Sequence, residues 1–534
     1  MPWYIILVLS VGYLACAFSA LRQALHMFQL NSYQDLSYKN YLKSHRKTYW
    51  NAKRIVPAVL MLIGGGALST LPIFFAAGSL LYLLVNRPQK AKKPLVYTAR
   101  VKRLLVCAAV LAALWLGLTF YVSTCILYSG LMARNILVAR LALVYPAVAL
   151  VPGILLQHRL VMLCNDLMSP IEAAISKKYY NEAKAILESM PALKVIGITG
   201  SYGKTSTKYF LERLLSTRFN VYMTPGNYNT TLGVVRAVRE GLRPTHEIFL
   251  CEMGARHVGD IKEICELAKP EIGIVTSVGP QHLETFGTLS NVLKTKLELA
   301  DAVRERGPVF LNFDSQPLEN NPPRQYVISY GQNGDHYKLT DLQIDENGSR
   351  FTISTSEGEH QAFSTKLLGS ANVQNICGAI AVAHTLGIPL SALVPAVRQL
   401  ESVPHRLQLI RQPGLTIIDD AYNSNPAGAK NALETLSLCR GTRIAVTPGL
   451  VELGALELDY NKDLGKQAAA CCDWLITVGK QDRTAAIREG ARDAGLHRDR
   501  VLEADTVQQA MDLARSLQGE GKMVLLLNDL TDNY

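Results

Sequence analysis

"VIGITGSYGKTSTKYF", residues 195–210, sets the architecture of the second half of this chain. An apolar run enters the turn GSYGKT, and the amphipathic stretch that follows predicts a helix. Backbone N–H groups at the start of a helix bind phosphate, and glycines stand where a Cβ would clash. The strict pattern G-x-x-x-x-G-K-[ST] requires glycine at position 198, where this chain has Ile198. A glycine-rich turn without a ligand therefore remains the alternative at this point.

Strand and helix patterns alternate through the rest of this half and predict parallel α/β structure. Residues 335–366 differ, because their short alternating runs predict antiparallel hairpins. A second α/β rhythm begins after Pro404, so we place a domain boundary near residues 400–404. The predicted organisation is an α-helical membrane region at 1–160, a helical linker at 161–190, a P-loop α/β domain at 191–400 and a Rossmann-like α/β domain at 401–534.

The first 160 residues contain four apolar stretches, at 3–21, 55–85, 104–128 and 136–156. About 20 apolar residues span a bilayer, and a cleaved signal peptide would leave the later stretches unexplained. The second stretch as one helix would be about 46 Å long, too long for a hydrocarbon core of ~30 Å, so it predicts a hairpin. Seven Lys and Arg residues flank it on each side, which places both flanks in the cytoplasm. We expect five spans, an external N-terminus and catalytic domains in the cytoplasm.

Charge and cysteine content exclude several classes of function. Residues 1–160 hold 17 basic residues and one acid, whereas residues 161–534 hold 38 basic and 43 acidic residues. A mildly acidic second half argues against nucleic acid as a partner. The ten cysteines form no C-x-x-C pair, so neither a zinc site nor a disulfide framework is indicated, and reduced thiols fit a cytosolic catalytic half.

Seven segments of the second half, taken in sequence order, resemble motifs of the Mur ligase family. These are ATP-dependent amide ligases that build peptidoglycan stem peptides, and the nearest branch is the MurF type, which adds D-alanyl-D-alanine. The loop motif of this family is T-G-x-x-G-K-[ST], which needs no glycine at position 198. The segments are "ITGSYGKTSTK", "TPGNYNTTLGV", "CEMGARHVGDI", "GPQHLETFGTLSNVLKTKLEL", "PHRLQL", "IIDDAYNSNP" and "VELG". The resemblance implies that 191–400 is the central ATP-binding domain and 401–534 the C-terminal domain.

The resemblance also implies site residues, with ATP, two Mg²⁺ ions and CO₂ as cofactors. Those implied for ATP are Thr199, Gly200, Ser201, Gly203, Lys204, Thr205, Ser206, Arg406, Asp420 and Asn423. Those implied for metal are Thr205, Glu252, His282 and Lys296, where Lys296 becomes a ligand as its CO₂ carbamate and Lys294 is the alternative. Those implied for substrate are Asn227 and Asn229. The implied catalytic residues are Lys204, Lys296, His282 and Glu252.

Each motif residue also has a plainer interpretation from the sequence alone. Glu252 could be an exposed acid at a strand end, and a lone histidine such as His282 is more often structural than a ligand. Lys294 and Lys296 could belong to a solvated charged helix face, and Arg406 could lie on the surface. "LTIIDD" would pass as the Walker B strand of a transport ATPase, but no LSGGQ-like stretch accompanies it.

The implied reaction begins when a substrate carboxylate attacks the γ-phosphate of ATP. An acyl phosphate and ADP result; an amine then attacks the acyl phosphate, and phosphate leaves. The implied partners are a cell-wall precursor acceptor and an amino donor such as D-alanyl-D-alanine. With the apolar stretches, this predicts a multi-pass protein of the bacterial cytoplasmic membrane that has membrane lipid as a partner.

Three departures from the family leave the substrate open. The N-terminal domain that grips the UDP-sugar is replaced by apolar stretches, Pro448 and Gly449 replace Gly-Asp in the G-D-M-x-E-L-G segment, and the K-G-S-R-like C-terminal ending is missing. The acceptor could be UDP-muramoyl tripeptide or a lipid-linked cell-wall precursor. A membrane scaffold switched by nucleotide is the third hypothesis.

Overall fold

The computed structural model of the protein describes residues 3–46, 50–63, 70–87, 93–303, 307–323, 326–345, 347–422 and 424–528. The helices are α1 Trp3–Leu30, α2 Asp35–Ser44, α3 Ala52–Ile63, α4 Leu71–Val85, α5 Ala99–Met132, α6 Ile136–Leu155, α7 Gln157–Glu188, α8 Lys204–Leu215, α9 Thr231–Gly241, α10 Asp260–Ala268, α11 Leu283–Phe286, α12 Leu289–Val303, α13 Gln316–Glu319, α14 Ser370–Thr385, α15 Leu390–Arg398, α16 Pro426–Ser437, α17 Glu457–Cys471, α18 Asp482–Asp493 and α19 Val507–Ser516. The strands are β1 Lys194–Thr199, β2 Val221–Met223, β3 Ile248–Glu252, β4 Ile272–Val275, β5 Val309–Asn312, β6 Val327–Gly331, β7 Tyr337–Asp345, β8 Gly348–Thr355, β9 His360–Thr365, β10 Gln408–Gln412, β11 Leu415–Asp420, β12 Arg443–Thr447, β13 Trp474–Val478, β14 Val501–Ala504 and β15 Lys522–Leu527.

The chain divides into two compact units, the first ending at Ile175 and the second beginning at Ser176. The first unit is helical and apolar. Three of its helices, α1, α5 and α6, are long and apolar enough to cross a membrane, by length and composition only. The stretch expected to form a hairpin gives two helices of 12 and 15 residues, α3 and α4, instead of one long helix. Its expected turn begins at Ser69, which lies outside the described residues.

A nine-stranded sheet forms the first part of the second unit, in the order β2-β3-β1-β4-β5-β6-β7-β8-β9. Strands β2 to β7 pair in parallel, and β7, β8 and β9 form the antiparallel hairpins expected from residues 335–366. Side chains of β1 alternate between two hydrophobic cores: Ile196 and Ile198 enter one, and Val195 enters the other. The central strand is therefore buried on both faces, as its continuous apolar sequence predicts.

A second sheet follows, in the order β10-β11-β15-β12-β13-β14, parallel except for the β10–β11 hairpin. The predicted fold class, an apolar helical region followed by two α/β domains, is confirmed. Helix α7 runs through most of the expected linker at 161–190. The domain bounds themselves stay a prediction.

Candidate active site

The turn GSYGKT has the backbone conformation of a phosphate cradle. Gly200 and Gly203 adopt φ values of 147° and 84°, which side-chain-bearing residues rarely adopt. A Cβ on Gly200 would lie 2.1 Å from Thr276 Oγ1, and one on Gly203 would lie 2.3 Å from Asn375 Oδ1. Gly203 caps α8, whose first N–H groups have no acceptor within the helix. Both glycines are therefore required by space as well as by φ.

Ile198 explains why the strict glycine pattern fails. It lies inside β1 and is fully buried, so the strand continues to Thr199 and the turn is short. The hydroxyls of Thr199 and Ser201 are also buried, where they donate to Met253 O at 2.9 Å and Gly279 O at 3.1 Å. These two side chains therefore fix the turn to the backbone at Met253 and Gly279. Ser206 is buried in the first turn of α8, beyond the cradle.

Lys204 lies at the centre of the cradle with its ammonium folded back onto its own turn. Its Nζ donates to Gly200 O at 2.7 Å. Burial lowers its pKa to about 8, an effect that Glu252 opposes and Arg406 reinforces. The Lys204 ammonium is hydrogen-bonded to a backbone carbonyl oxygen and has little negative charge around it. It would therefore bind a polyphosphate more favourably than it binds this turn.

Glu252 ends β3 beside the cradle and is 1% exposed, so it is not the exposed strand-end acid of the alternative reading. Its Oε1 accepts from Thr205 Oγ1 and from Asn229 Nδ2, both at 3.1 Å. Its Oε2 lies 2.9 Å from Nζ of the buried Lys208. Burial alone would raise the pKa of Glu252, but Lys208 and Lys204 outweigh it and the pKa is lowered. The carboxylate is thus ionised and, with the Thr205 hydroxyl, offers the oxygen donors that Mg²⁺ prefers.

His282 lies at the N-terminus of α11 in a left-handed conformation, φ 50°. Its Nδ1 makes a close contact with Oε2 of Glu452, which comes from the loop after β12. Burial lowers the pKa of His282, although Glu452 acts in the opposite direction. The histidine is therefore held by a carboxylate from the second sheet domain.

Lys296 and Lys294 differ sharply in environment. Lys296 is 1% exposed on the inner face of α12, whereas Lys294 is exposed. Burial, followed by the charge of Lys204, holds the pKa of Lys296 well below its usual range. Among the described residues, no carboxylate oxygen lies within 4.0 Å of its ammonium. Lys296 therefore does not belong to a solvated charged helix face, whereas the exposure of Lys294 agrees with that interpretation.

Arg406 and Asp420 come from the second sheet domain. The Arg406 guanidinium lies over the ring of Tyr422, 4.5 Å from its centroid. Burial raises the pKa of Asp420 to about 7, against the lowering effect of Arg406 and of the Leu407 N–H, which donates to Asp420 Oδ1 at 3.2 Å. Asn423 lies outside the described residues.

The charged groups of the candidate site lie within electrostatic reach of one another. Lys204 interacts with Glu252, Arg406 and Lys296, and Lys296 in turn influences His282. Asn227 is exposed, whereas Asn229 in the same motif donates a hydrogen bond to Glu252. Within the described ranges, no three His, Cys, Asp or Glu side chains cluster as a ready-made metal site. A cation here would therefore need ligands from hydroxyl, phosphate or modified lysine as well.

Four residues of this site were not predicted from the sequence. Lys208 binds Glu252, Asn375 fills the space that a Cβ on Gly203 would need, and Glu452 holds His282. Asn425 Nδ2 donates to Ser201 O at 3.4 Å, which joins the second sheet domain to the cradle. The signals for them were weak: Lys208, Asn425 and Glu452 lie in the motif segments without assigned roles, and Asn375 is an asparagine on a helix outside those segments.

Comparison with known families decides which family this fold belongs to. The profile of the Mur ligase middle domain matches residues 198–383, and that of the Mur ligase glutamate ligase domain matches residues 405–528. The chain belongs to the Mur ligase family. The predicted resemblance is confirmed, and the chain is a carbon–nitrogen ligase of a family that uses ATP and Mg²⁺.

Two curated relatives of this Mur ligase carry the name UDP-N-acetylmuramoyl-tripeptide–D-alanyl-D-alanine ligase. The Bacillus subtilis protein is 32% identical over 64% of this chain and 74% of its own length. The Escherichia coli protein is 29% identical over 58% of this chain and 70% of its own length. The crystal structure of MurF from Thermotoga maritima in complex with ADP matches 66% of this chain and 80% of its own, with a TM-score of 0.60 and 26% identity.

One prediction about this Mur ligase is wrong by the same comparison. We expected a multi-pass protein of the bacterial cytoplasmic membrane, with catalytic domains in the cytoplasm. The MurF relatives are soluble cytoplasmic enzymes, and the three long N-terminal helices suit a membrane by length and composition only. The charge argument misled because it assumed that every apolar stretch spans a bilayer, and α3 and α4 are each too short to do so alone.

Proposed function

We propose that this Mur ligase joins the carboxylate of UDP-muramoyl tripeptide to the amine of D-alanyl-D-alanine at the expense of ATP, as the names of its relatives say of them. The proposal rests on one observation, which is that the Thr205 hydroxyl and the Glu252 carboxylate lie together beside the cradle. Thr205 and Asn229 both donate to one oxygen of the buried Glu252, immediately next to the glycine turn and Lys204. A triphosphate on the turn would therefore lie beside a preformed carboxylate.

The residues of the site have separate roles in this proposal. The cradle N–H groups and Lys204 bind the phosphates, while Arg406 and Asp420 reach the nucleotide from the second domain. Thr205 and Glu252 would hold Mg²⁺, which neutralises phosphate charge during transfer. The substrate carboxylate attacks the γ-phosphate, and the amine then displaces phosphate from the acyl phosphate. Closure of the two sheet domains excludes water from that intermediate.

Lys296 is the proposed site of CO₂ modification. A lysine must be neutral to attack CO₂, and burial beside Lys204 favours its neutral form. The new N–C bond converts the amine to a carbamate and releases one proton. The product is a carboxylate-like ligand for a second Mg²⁺ ion, which His282 would share.

One assay tests the proposed reaction against its alternatives. The purified protein receives Mg²⁺, ATP and bicarbonate, with either UDP-muramoyl tripeptide or a lipid-linked precursor, each with and without D-alanyl-D-alanine. We expect phosphate release that requires both the soluble acceptor and the dipeptide. Release with only the lipid-linked acceptor would select that acceptor, with membrane lipid as a partner. No release with either acceptor would favour the nucleotide-switched scaffold.

The variant Lys204→Ala provides the control for that assay. We expect it to abolish turnover, because it removes the ammonium that is proposed to bind the phosphates. Turnover that persists in this variant would place the active nucleotide site elsewhere in the chain.

A further inference from the structure

The loop after β12 makes a compact contact with the start of α11, and this contact joins the two sheet domains. The backbone N–H of Glu284 donates to Glu452 O at 3.4 Å. Leu283, which lies between His282 and Glu284 in the sequence, packs against the hydrophobic cores of both sheets. The side chains of His282 and Glu452 meet at the centre of this contact, and each is 13% exposed.

Both residues are fixed in uncommon backbone conformations. His282 has φ 50° and Glu452 has φ 63°, in the left-handed region that costs energy for residues with a Cβ. Such conformations persist where the surrounding contacts impose them. Here they turn the imidazole and the carboxylate toward each other across the domain boundary.

Glu452 also has a second partner on the middle domain. Its Oε1 lies 3.2 Å from Nη2 of Arg256, while its Oε2 contacts His282 Nδ1. Arg256 is half exposed, so its charge is screened by solvent and the ion pair adds little stability. The histidine contact is the buried one and is therefore the one that can determine geometry.

A carboxylate on one ring nitrogen determines what the other nitrogen can do. It holds the proton on Nδ1, fixes the ring orientation and leaves the Nε2 lone pair available to a metal ion. This arrangement is common behind metal-binding histidines. The unusual feature here is that the carboxylate belongs to a different domain from the histidine.

We propose that Glu452 is a positioning residue for the metal site: it orients His282 from the second sheet domain, so that this ligand is in place only when the two domains are together. The inference rests on the proposed metal role of His282. It adds that domain closure and metal binding are coupled through one side-chain pair. Pro448 and Gly449 replace the family residues that precede this point, but the segment "VELG" is retained. Glu452 is therefore present to contact His282 in spite of that replacement.

Mn²⁺ binding in the presence of ADP, measured by electron paramagnetic resonance on the full chain, tests the coupling without turnover. The variants are Glu452→Ala, His282→Ala, the double variant, Arg256→Met and Glu452→Gln. The control is Glu489→Gln, which removes one charge from an exposed ion pair with Lys462, between α17 and α18. We expect Glu452→Ala to weaken Mn²⁺ affinity by about 10- to 100-fold. Glu452→Gln keeps an acceptor oxygen and should lose less.

The double variant decides how Glu452 acts. If it acts through His282, the double variant binds Mn²⁺ no more weakly than His282→Ala alone, and Arg256→Met stays within about threefold of the unmodified protein. Additive losses, or an equal loss in Arg256→Met, would show that Glu452 only latches the domains and would overturn the inference. Normal affinity in Glu452→Ala beside weakened His282→Ala would also overturn it. Normal affinity in His282→Ala would instead refute the metal role in the proposed function.

Discussion

The ammonium of Lys208 lies 2.9 Å from Oε2 of Glu252, and both side chains are fully buried beneath the phosphate cradle. Lys208 Nζ also donates to Thr224 O at 2.8 Å and Gly226 O at 2.6 Å. The same lysine therefore holds the carboxylate and the backbone of the segment that carries Asn229. Since Asn229 binds the other oxygen of Glu252, the carboxylate is fixed from both sides.

Lys208→Met should destabilise the second unit by about 3–5 kcal/mol, because it leaves the Glu252 carboxylate buried without a counter-charge. The double variant Lys208→Met with Glu252→Gln should recover part of this loss. Urea denaturation measures both. The matched control is Lys430→Met, which breaks an exposed Lys–Glu pair and should cost less than about 1 kcal/mol. Equal losses in the buried and exposed pairs would contradict the role given to Lys208.

Gly203→Ala should abolish nucleotide binding. The added Cβ would lie 2.3 Å from Asn375 Oδ1, at a φ of 84°, so the cradle must deform to accommodate it. The control is Gly414→Ala, at a φ of 73° with no atom within 4 Å of the added Cβ. That variant carries the backbone strain of about 1–2 kcal/mol without the clash. Titration of ADP by calorimetry separates the two, and similar ADP affinities in both would show that the cradle does not depend on this close approach.

The sequence was sufficient to predict the fold because its signals are local. Alternating strand and helix patterns around the GSYGKT turn define the first sheet, and the short runs at 335–366 define its hairpins. Even the missing glycine was informative, since Ile198 proved to be a core residue of β1. The motif segments also contain the glycines and Lys204 of the turn between β1 and α8.

The parts that were missed depend on contacts between distant segments. A lysine on a helix is normally solvated, and only the burial of Glu252, 44 positions later in the chain, makes Lys208 part of the site. The partner of His282 lies in another domain, in a loop whose left-handed residue Glu452 has no local sequence signal. The apolar stretches led to the wrong location, because their hydropathy and flanking charges predicted a membrane protein, whereas the MurF relatives are soluble cytoplasmic enzymes.

Nucleotide affinity should rise with pH as Asp420 ionises. Burial raises its pKa to about 7, so the folded protein holds this proton at pH values where the unfolded chain has lost it. Its contribution to fold stability therefore declines as pH rises toward 7, while the ionised form becomes able to accept hydrogen bonds from ribose. Between about pH 6 and pH 8 the ionised fraction rises about tenfold, which sets the largest expected gain in ADP affinity.

The control for this pH effect is Asp420→Asn, which cannot ionise. Its ADP affinity should be lower than that of the unmodified protein at pH 8, and the ratio of the two affinities should approach one near pH 6. Using the ratio removes the pH dependence of the nucleotide phosphates. A ratio that is constant over this range would show that Asp420 does not bind the nucleotide in its ionised form.

Removal of CO₂ should lower the activity of this Mur ligase through Lys296. Burial lowers the pKa of the Lys296 amine and so favours the neutral form that can react with CO₂, whereas Lys294 on the same helix is exposed. We expect ¹³C-labelled bicarbonate to give a carbamate signal in the carbon NMR spectrum that Lys296→Arg abolishes and Lys294→Arg retains. Lys296→Arg should also lose most phosphate release, because an arginine cannot become a carboxylate-like ligand. Full activity in degassed, bicarbonate-free buffer, or a carbamate signal that follows Lys294, would contradict this assignment.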